Sequence, residues 1–261
     1  MTKGEKTMMP VFFVGHGNPM NAIEETPFAK AWLEEAGRTP RPKAILCVSA
    51  HWETDGARVT VMERPRTIHD FYGFPEELYR VQYPAPGSPE LAARVRELAG
   101  AEEVATDESW GIDHGTWSVL RRMYPAADIP VVQLSLDRRR SPREHLALAR
   151  TLQPLREEGV LVLGSGNLVH NLPLMNWGDD KPYPWAGEFD RLATELIMAG
   201  ELEKLADYGL LGEAARLSIP TNEHYLPLLY ALALLKPEET VAFFAEGIVL
   251  GSVSMRSFRS I

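Results

Sequence analysis

Cysteine is all but absent from this chain: among 261 residues only Cys47 carries a thiol. No disulfide framework can form within it, and a cysteine-rich zinc module is excluded. Cys47 lies in the apolar run AILCVS, where a thiol serves packing rather than attack. An excess of positive charge is also lacking. The 27 Lys and Arg face 36 Asp and Glu, a formal net charge of −9, so no global basic field draws in nucleic acid or anionic lipid. The one basic run, Arg138-Arg139-Arg140, reads as a solvated turn before Ser141-Pro142. Apolar runs long enough to span a bilayer are missing. Residues 1–9, MTKGEKTMM, are polar, and the apolar stretch after them is too short for a signal sequence. The expected location is cytoplasmic. With no repeat and no linker-like tract, the expected organisation is a flexible N-terminus over 1–9 and a single domain over 10–261.

What the chain does have is alternation. Short β-branched or aromatic runs at 10–15, 44–50, 57–62, 130–136 and 160–165 predict strands. Helical patterns fall between and after them, at 27–37, 88–99, 116–124, 142–157 and 186–206. Ser88-Pro89 and Ser141-Pro142 each put a capping serine before a proline at the first helical position. The pattern predicts an α/β fold: one domain, a mostly parallel central sheet flanked by helices, and antiparallel edge strands from the C-terminal run TVAFFAEGIVLGSVSMRSF.

In such sheets ligands bind beyond the carboxyl ends of the strands. His16 follows the first strand in VFFVGHG, His51 the second in ILCVSAHW, and His170 the fifth in VLVLGSGNLVH. Gly15 and Gly17 would keep bulk from both sides of His16. His224, in TNEHYLPLLY, precedes an apolar run whose Pro227 must sit near a helix start, so the helix is expected to begin near Glu223. Neutral imidazole is the metal-binding form, and Glu223 is a second candidate ligand. Adjacent helical residues point about 100° apart, so one of the two coordinates and the other supports. His145, on a polar-faced helix, is expected to be solvated.

Two loops add aromatic and titratable groups. TIHDFYGFP (67–75) brings His69, Phe71 and Tyr72 together, either to line a pocket for a flat ligand or to plug the sheet end. WGIDHGTW (110–117) offers His114 to a substrate oxygen, or else Asp113-His114 only caps the next helix. LVLGSGN (161–167) fails the spacing of a nucleophile elbow, and it lacks the lysine of a phosphate loop and the third glycine of a dinucleotide fingerprint. It reads as a glycine-rich turn that bends the chain towards His170.

Seven motifs, GHGNPM, SAHW, TIHDFYGFP, YPAPGSP, WGIDHGTW, GSGNLVHN and EHYLPLLY, occur in the order found in 4,5-DOPA extradiol dioxygenase-like proteins. The chain resembles that family, within the class III, LigB-type ring-cleaving dioxygenases, from about Val11 to the C-terminus. Asn18 and Asn222 depart from the usual serine and proline of the first and last motifs. The resemblance implies metal ligands at His16, His51 and His224, with Glu223 the alternative ligand used by more distant members. It gives His170 the acid–base role, and contact with the metal as well, and His114 a substrate-side, catalytic role. It further implies Fe(II) for activity, with Zn(II) able to fill the same site, and a small-molecule catechol and O₂ as partners. No nucleic acid or membrane is expected; a homo-oligomer is possible. A zinc-dependent hydrolase and a non-catalytic Memo-like metal- or ligand-binding protein are the alternatives on the same fold.

Overall fold

Runs of Val, Ile, Leu and Phe become strands with little exposed surface. The computed structural model describes residues 8–178 and 181–261. Its strands are β1 (Val11–Gly15), β2 (Ala44–Thr54), β3 (Ala57–Thr60), β4 (Val104–Asp107), β5 (Val131–Asp137), β6 (Val160–Gly166), β7 (Val241–Ala245), β8 (Ile248–Val249), β9 (Val253–Ser254) and β10 (Ser257–Ser260). One sheet runs β4-β3-β5-β2-β6-β1-β10-β7, and β8 and β9 pair separately. Its centre, β5-β2-β6-β1, is parallel, and every residue of β1, β5 and β6 is buried, as a sheet covered on both faces requires. At the C-terminal edge β10 and β7 are antiparallel, as expected. The other edge also breaks the parallel run, because β3 pairs antiparallel with β5. Outermost β4 was not anticipated; its sequence VATD is short and half-exposed, without the alternation that marks a strand.

The helices are α1 (Pro27–Gly37), α2 (Glu76–Tyr79), α3 (Pro89–Ala99), α4 (His114–Met123), α5 (Pro142–Thr151), α6 (Pro154–Glu157), α7 (Pro184–Met198), α8 (Leu202–Ala206), α9 (Glu213–Ser218) and α10 (Leu226–Ala233). The expected helix over 142–157 divides before Pro154, and that over 186–206 divides at Gly200, whose φ is +68°. Ser88 and Ser141 cap as read from sequence, Ser141 in a reciprocal capping box with Glu144. The period of two along β1 sorts its side chains between two cores. Val11 and Phe13 join α3, α5, α7 and α10 on one face, whereas Phe12 and Val14 join Trp32 of α1 and Trp117 of α4 on the other.

Two expectations fail here. His145 is fully buried, with Nδ1 3.0 Å from the Tyr230 hydroxyl of α10. It lies three and four residues before Leu148 and Ala149, on the apolar face of α5 rather than the polar one. Met9, assigned to a flexible N-terminus, is buried and donates its N–H to Arg156 O at 3.0 Å; residues 1–7 of that segment lie outside the described residues. Among the described residues no helix is long and apolar enough to cross a membrane.

Candidate metal centre

Strands β1, β6 and β2 are neighbours, and the chain beyond their carboxyl ends converges on one point. His16 leaves β1 with its N–H on Gly166 O at 3.0 Å. His51 sits inside β2, not after it: pairing with β5 is irregular between Val48 and Glu53 and then resumes to Thr54. An irregularity of this kind re-aims side chains without ending the strand. His224 lies in a turn whose Asn222 O accepts from both Tyr225 and Leu226 N–H groups. The helix α10 starts only at Leu226, later than the expected Glu223, which leaves Pro227 in its first turn.

Glycines let these segments meet. A β-carbon on Gly166 would lie 2.1 Å from His224 O, and one on Gly164 2.3 Å from Pro227 O. The GSGN segment therefore admits the backbone of 224–227 rather than bending the chain towards His170. Gly15 has a similar task, but not the one expected. A β-carbon there would strike the backbone of Met255 at 2.8 Å, so the space it leaves is filled by the C-terminal segment, not by substrate.

Each ligand-candidate imidazole is held from outside. His16 Nδ1 lies 3.0 Å from Ser165 Oγ, and that hydroxyl donates to Gly115 O at 2.5 Å. Ser165 has spent its only proton, so it accepts from His16 and fixes the Nδ1–H tautomer. His224 Nδ1 lies 3.0 Å from Glu223 Oε1, and His51 Nδ1 3.5 Å from Asp70 Oδ2. The Nε2 atoms are left to turn inward, with those of His16 and His51 only 3.0 Å apart. Ligand atoms of His16, His51 and His224 all lie within 4.8 Å of one another. Burial holds the three rings well below the usual histidine pKa, and each is lowered further by neighbouring histidines. They are neutral donors at physiological pH.

Further groups surround this triad. The His170 ring stacks on that of His224, centroids 3.4 Å apart and 11° from parallel, and burial lowers its pKa to about 4. His170, Glu223 and His224 form a second cluster of donors, and His51, Asp70 and His114 a third. His114 opens α4, takes the Asp70 carboxylate on its N–H at 2.9 Å, and packs its ring 3.8 Å from that of His51. Asp113 caps the same helix through Thr116 N–H, as the capping reading of that pair expects. In the 67–75 loop the edge of Phe71 meets His114, and Tyr72 stands almost wholly in solvent. His69 is turned away, with Nε2 2.9 Å from Val81 O and its ring among Phe71, Tyr79 and Trp117. The loop is thus plug at His69 and rim at Phe71.

Sequence reasoning passed over Asp70 and Ser165. Asp70 stands beside His69 in a loop read for its aromatics. In sequence Ser165 suggests only the failed nucleophile elbow, although its place between Gly164 and Gly166 on a strand already aims it away from the segment those glycines admit.

The model of the catalytic LigB subunit of aromatic ring-opening dioxygenase matches residues 11–248. The chain is 49% identical to the 4,5-DOPA dioxygenase extradiol of Escherichia coli (strain K12), over 96% of this chain and 94% of that protein. It is 42% identical to the enzyme of the same name from Beta vulgaris, over 87% of each. The crystal structure of an uncharacterized protein from Escherichia coli K12 superposes with a TM-score of 0.84 at 44% identity, covering 96% of this chain and 99% of that one. The chain belongs to the LigB family of extradiol, ring-opening dioxygenases.

Proposed function

We propose that this protein is a non-haem Fe(II)-dependent dioxygenase that opens the ring of a DOPA-like catechol with O₂. The observation that carries the reading is the inward convergence of three neutral imidazoles whose outer nitrogens already have partners. Three such donors suit a divalent ion of intermediate softness and leave room for other ligands. His16, His51 and His224 would hold it, and Glu223 would orient His224 rather than bind. Bound Fe(II) supplies Lewis acidity towards the diol and the redox capacity to engage O₂, whereas Zn(II) in the same site supplies only the first.

The remaining chemistry belongs to the protein. His170, uncharged because it is buried, can take a phenolic proton and later return it. His114, anchored by Asp70 and packed against His51, would hydrogen-bond a substrate oxygen. Phe71 covers that flank and limits water. Both atoms of O₂ enter the ring-opened product, so no external reductant is required.

Anaerobic loading with Fe(II), then O₂ and a series of catechols, tests the reading. Uptake of one O₂ per yellow ring-opened product is expected. The variant His170→Ala should keep its metal and lose turnover; if it also loses metal, His170 is a ligand. Hydrolysis of esters or amides by the zinc form, without O₂ uptake by the iron form, would replace the reading with that of a hydrolase.

A further inference from the structure

His170 lies four residues past the end of β6 at Gly166, so the strand alone does not fix its ring. Two other parts of the chain grip the segment that carries it. On one side His170 N–H donates to Ser218 O at 2.9 Å, and Asn171 Nδ2 donates to Leu217 O at 2.7 Å. On the other lies the C-terminal stretch 252–255. Ser254 N–H donates to Val169 O at 2.9 Å and Asn171 N–H to Ser252 O at 3.1 Å, with His170 and Val253 facing each other in an antiparallel bridge. Asn167 Nδ2 on Ser254 O and Ser252 Oγ on Asn171 O, both at 2.8 Å, close the contact.

That stretch has little secondary structure of its own to hold it. Residues Val253–Ser254 are the whole of β9, paired only with the two residues of β8, and a lone two-stranded pair is marginal in water. Its anchor is Asp190 of α7, whose carboxylate is buried. Asp190 Oδ1 accepts from Ser254 Oγ at 2.6 Å, and Oδ2 accepts from Arg256 Nη2 at 2.6 Å and Nε at 3.0 Å. Having donated its proton, Ser254 Oγ accepts Arg256 N–H at 3.2 Å. Arg256 also pairs with Glu246 at 2.8 Å and lies over the Phe243 ring. None of Asp190, Ser254 and Arg256 is among the clustered metal donors, so the clamp stands apart from the site it supports.

We infer that Asp190, through Ser254 and Arg256, is a positioning residue for His170: it fixes the C-terminal stretch against which the segment bearing the acid–base imidazole is laid. The inference rests on the acid–base reading of His170 above. Metal binding does not depend on the clamp, because Ser165, Asp70 and Glu223 face the outer nitrogens of His16, His51 and His224. A misplacement of about 1 Å in a reacting group can cost on the order of a hundred-fold in rate. A slackened clamp is therefore read in proton transfer and turnover, not in metal content.

The test uses the full chain with Ser254→Ala and Asp190→Asn, beside His170→Ala and Arg156→Met. The first readout is the absorption spectrum of 4-nitrocatechol on the zinc-loaded protein, since the monoanion and dianion of this diol differ in colour. With His170 in place the second phenolic proton passes to its imidazole, and the bound ligand is the dianion. Ser254→Ala and Asp190→Asn should each raise the share of monoanion, as His170→Ala does, at unchanged zinc affinity. The second readout is turnover by the iron-loaded protein, where kcat should fall about ten-fold or more with KM little changed. Arg156→Met, altered at the far end of the strands, should keep the wild-type spectrum and kcat, which separates positioning from loss of stability. Wild-type spectra and kcat in both clamp variants, an equal change in Arg156→Met, or a fall in zinc affinity that matches the fall in kcat would overturn the inference. A wild-type spectrum in His170→Ala would overturn the acid–base reading itself, and the inference with it.

Discussion

Two buried polar clusters lie at opposite ends of the same strands, and they are built on opposite plans. At the amino ends of β1 and β6, Arg156 is wholly buried and its five N–H groups each find an acceptor: Met9 O, Leu234 O, Ser260 Oγ and both oxygens of Glu239. At the carboxyl ends His16 and His224 are buried and His51 partly so; their outer nitrogens face Ser165, Glu223 and Asp70, while the inner nitrogens of His16 and His51 meet only each other, at 3.0 Å. A buried polar group costs stability unless it is hydrogen-bonded, so the first cluster is complete as protein and the second is complete only with something added. Burial and polarity are common to both. What separates structure from site is where the unspent donor atoms point.

The comparison can be broken at either end. The largest effect is expected from His224→Ala, which should weaken Fe(II) or Zn(II) binding by more than about a hundred-fold, since even an outer partner of a ligand is worth ten- to a hundred-fold. Equilibrium metal titration checks this, and unfolding of the metal-free variant should show a smaller change than any variant of Arg156. Next, Arg156→Met leaves the Glu239 carboxylate without its counter-ion and should cost about 3–5 kcal/mol in urea unfolding, with metal affinity of the folded protein unchanged. An Arg156 variant that bound metal poorly would show that the two ends are not independent.

His145 supplies a control, a buried histidine with a structural partner and no place in the site. Its pKa is lowered to about 4, chiefly by burial. The unfolded chain takes up that proton near pH 6.5 and the folded chain only near 4, so its contribution is fully present above pH 6.5 and is lost as pH falls from there towards 4. The loss is roughly 3 kcal/mol. In His145→Gln the fall of stability across that window should be shallower by this amount. The smallest effect is at Ser165. Ser165→Ala removes the acceptor that fixes the His16 tautomer and should lower metal affinity by about ten- to a hundred-fold, with the protein still folded.

Much of this was legible in the residues. The alternation of apolar runs and capped helices carried the parallel centre and the antiparallel C-terminal edge, because burial on both faces leaves a strong mark on sequence. His16, His51 and His170 could be picked out by their places at strand ends and His224 by the helix start that follows it, and the structure gathers all four. The failures are long-range. Whether His145 faces solvent depends on Tyr230, 85 residues away, and whether Ser165 is nucleophile or prop depends on Gly115 and His16. The start of α10 moved because Asn222 O already holds the preceding turn.

Anomalous diffraction from crystals loaded anaerobically with Fe(II) tests the central claim most directly. One peak is expected, bonded to the Nε2 atoms of His16, His51 and His224, with Glu223 and Ser165 remaining on the outer nitrogens. A peak held instead by Asp70 and His114, or by the Glu223 carboxylate in place of His224, would contradict it.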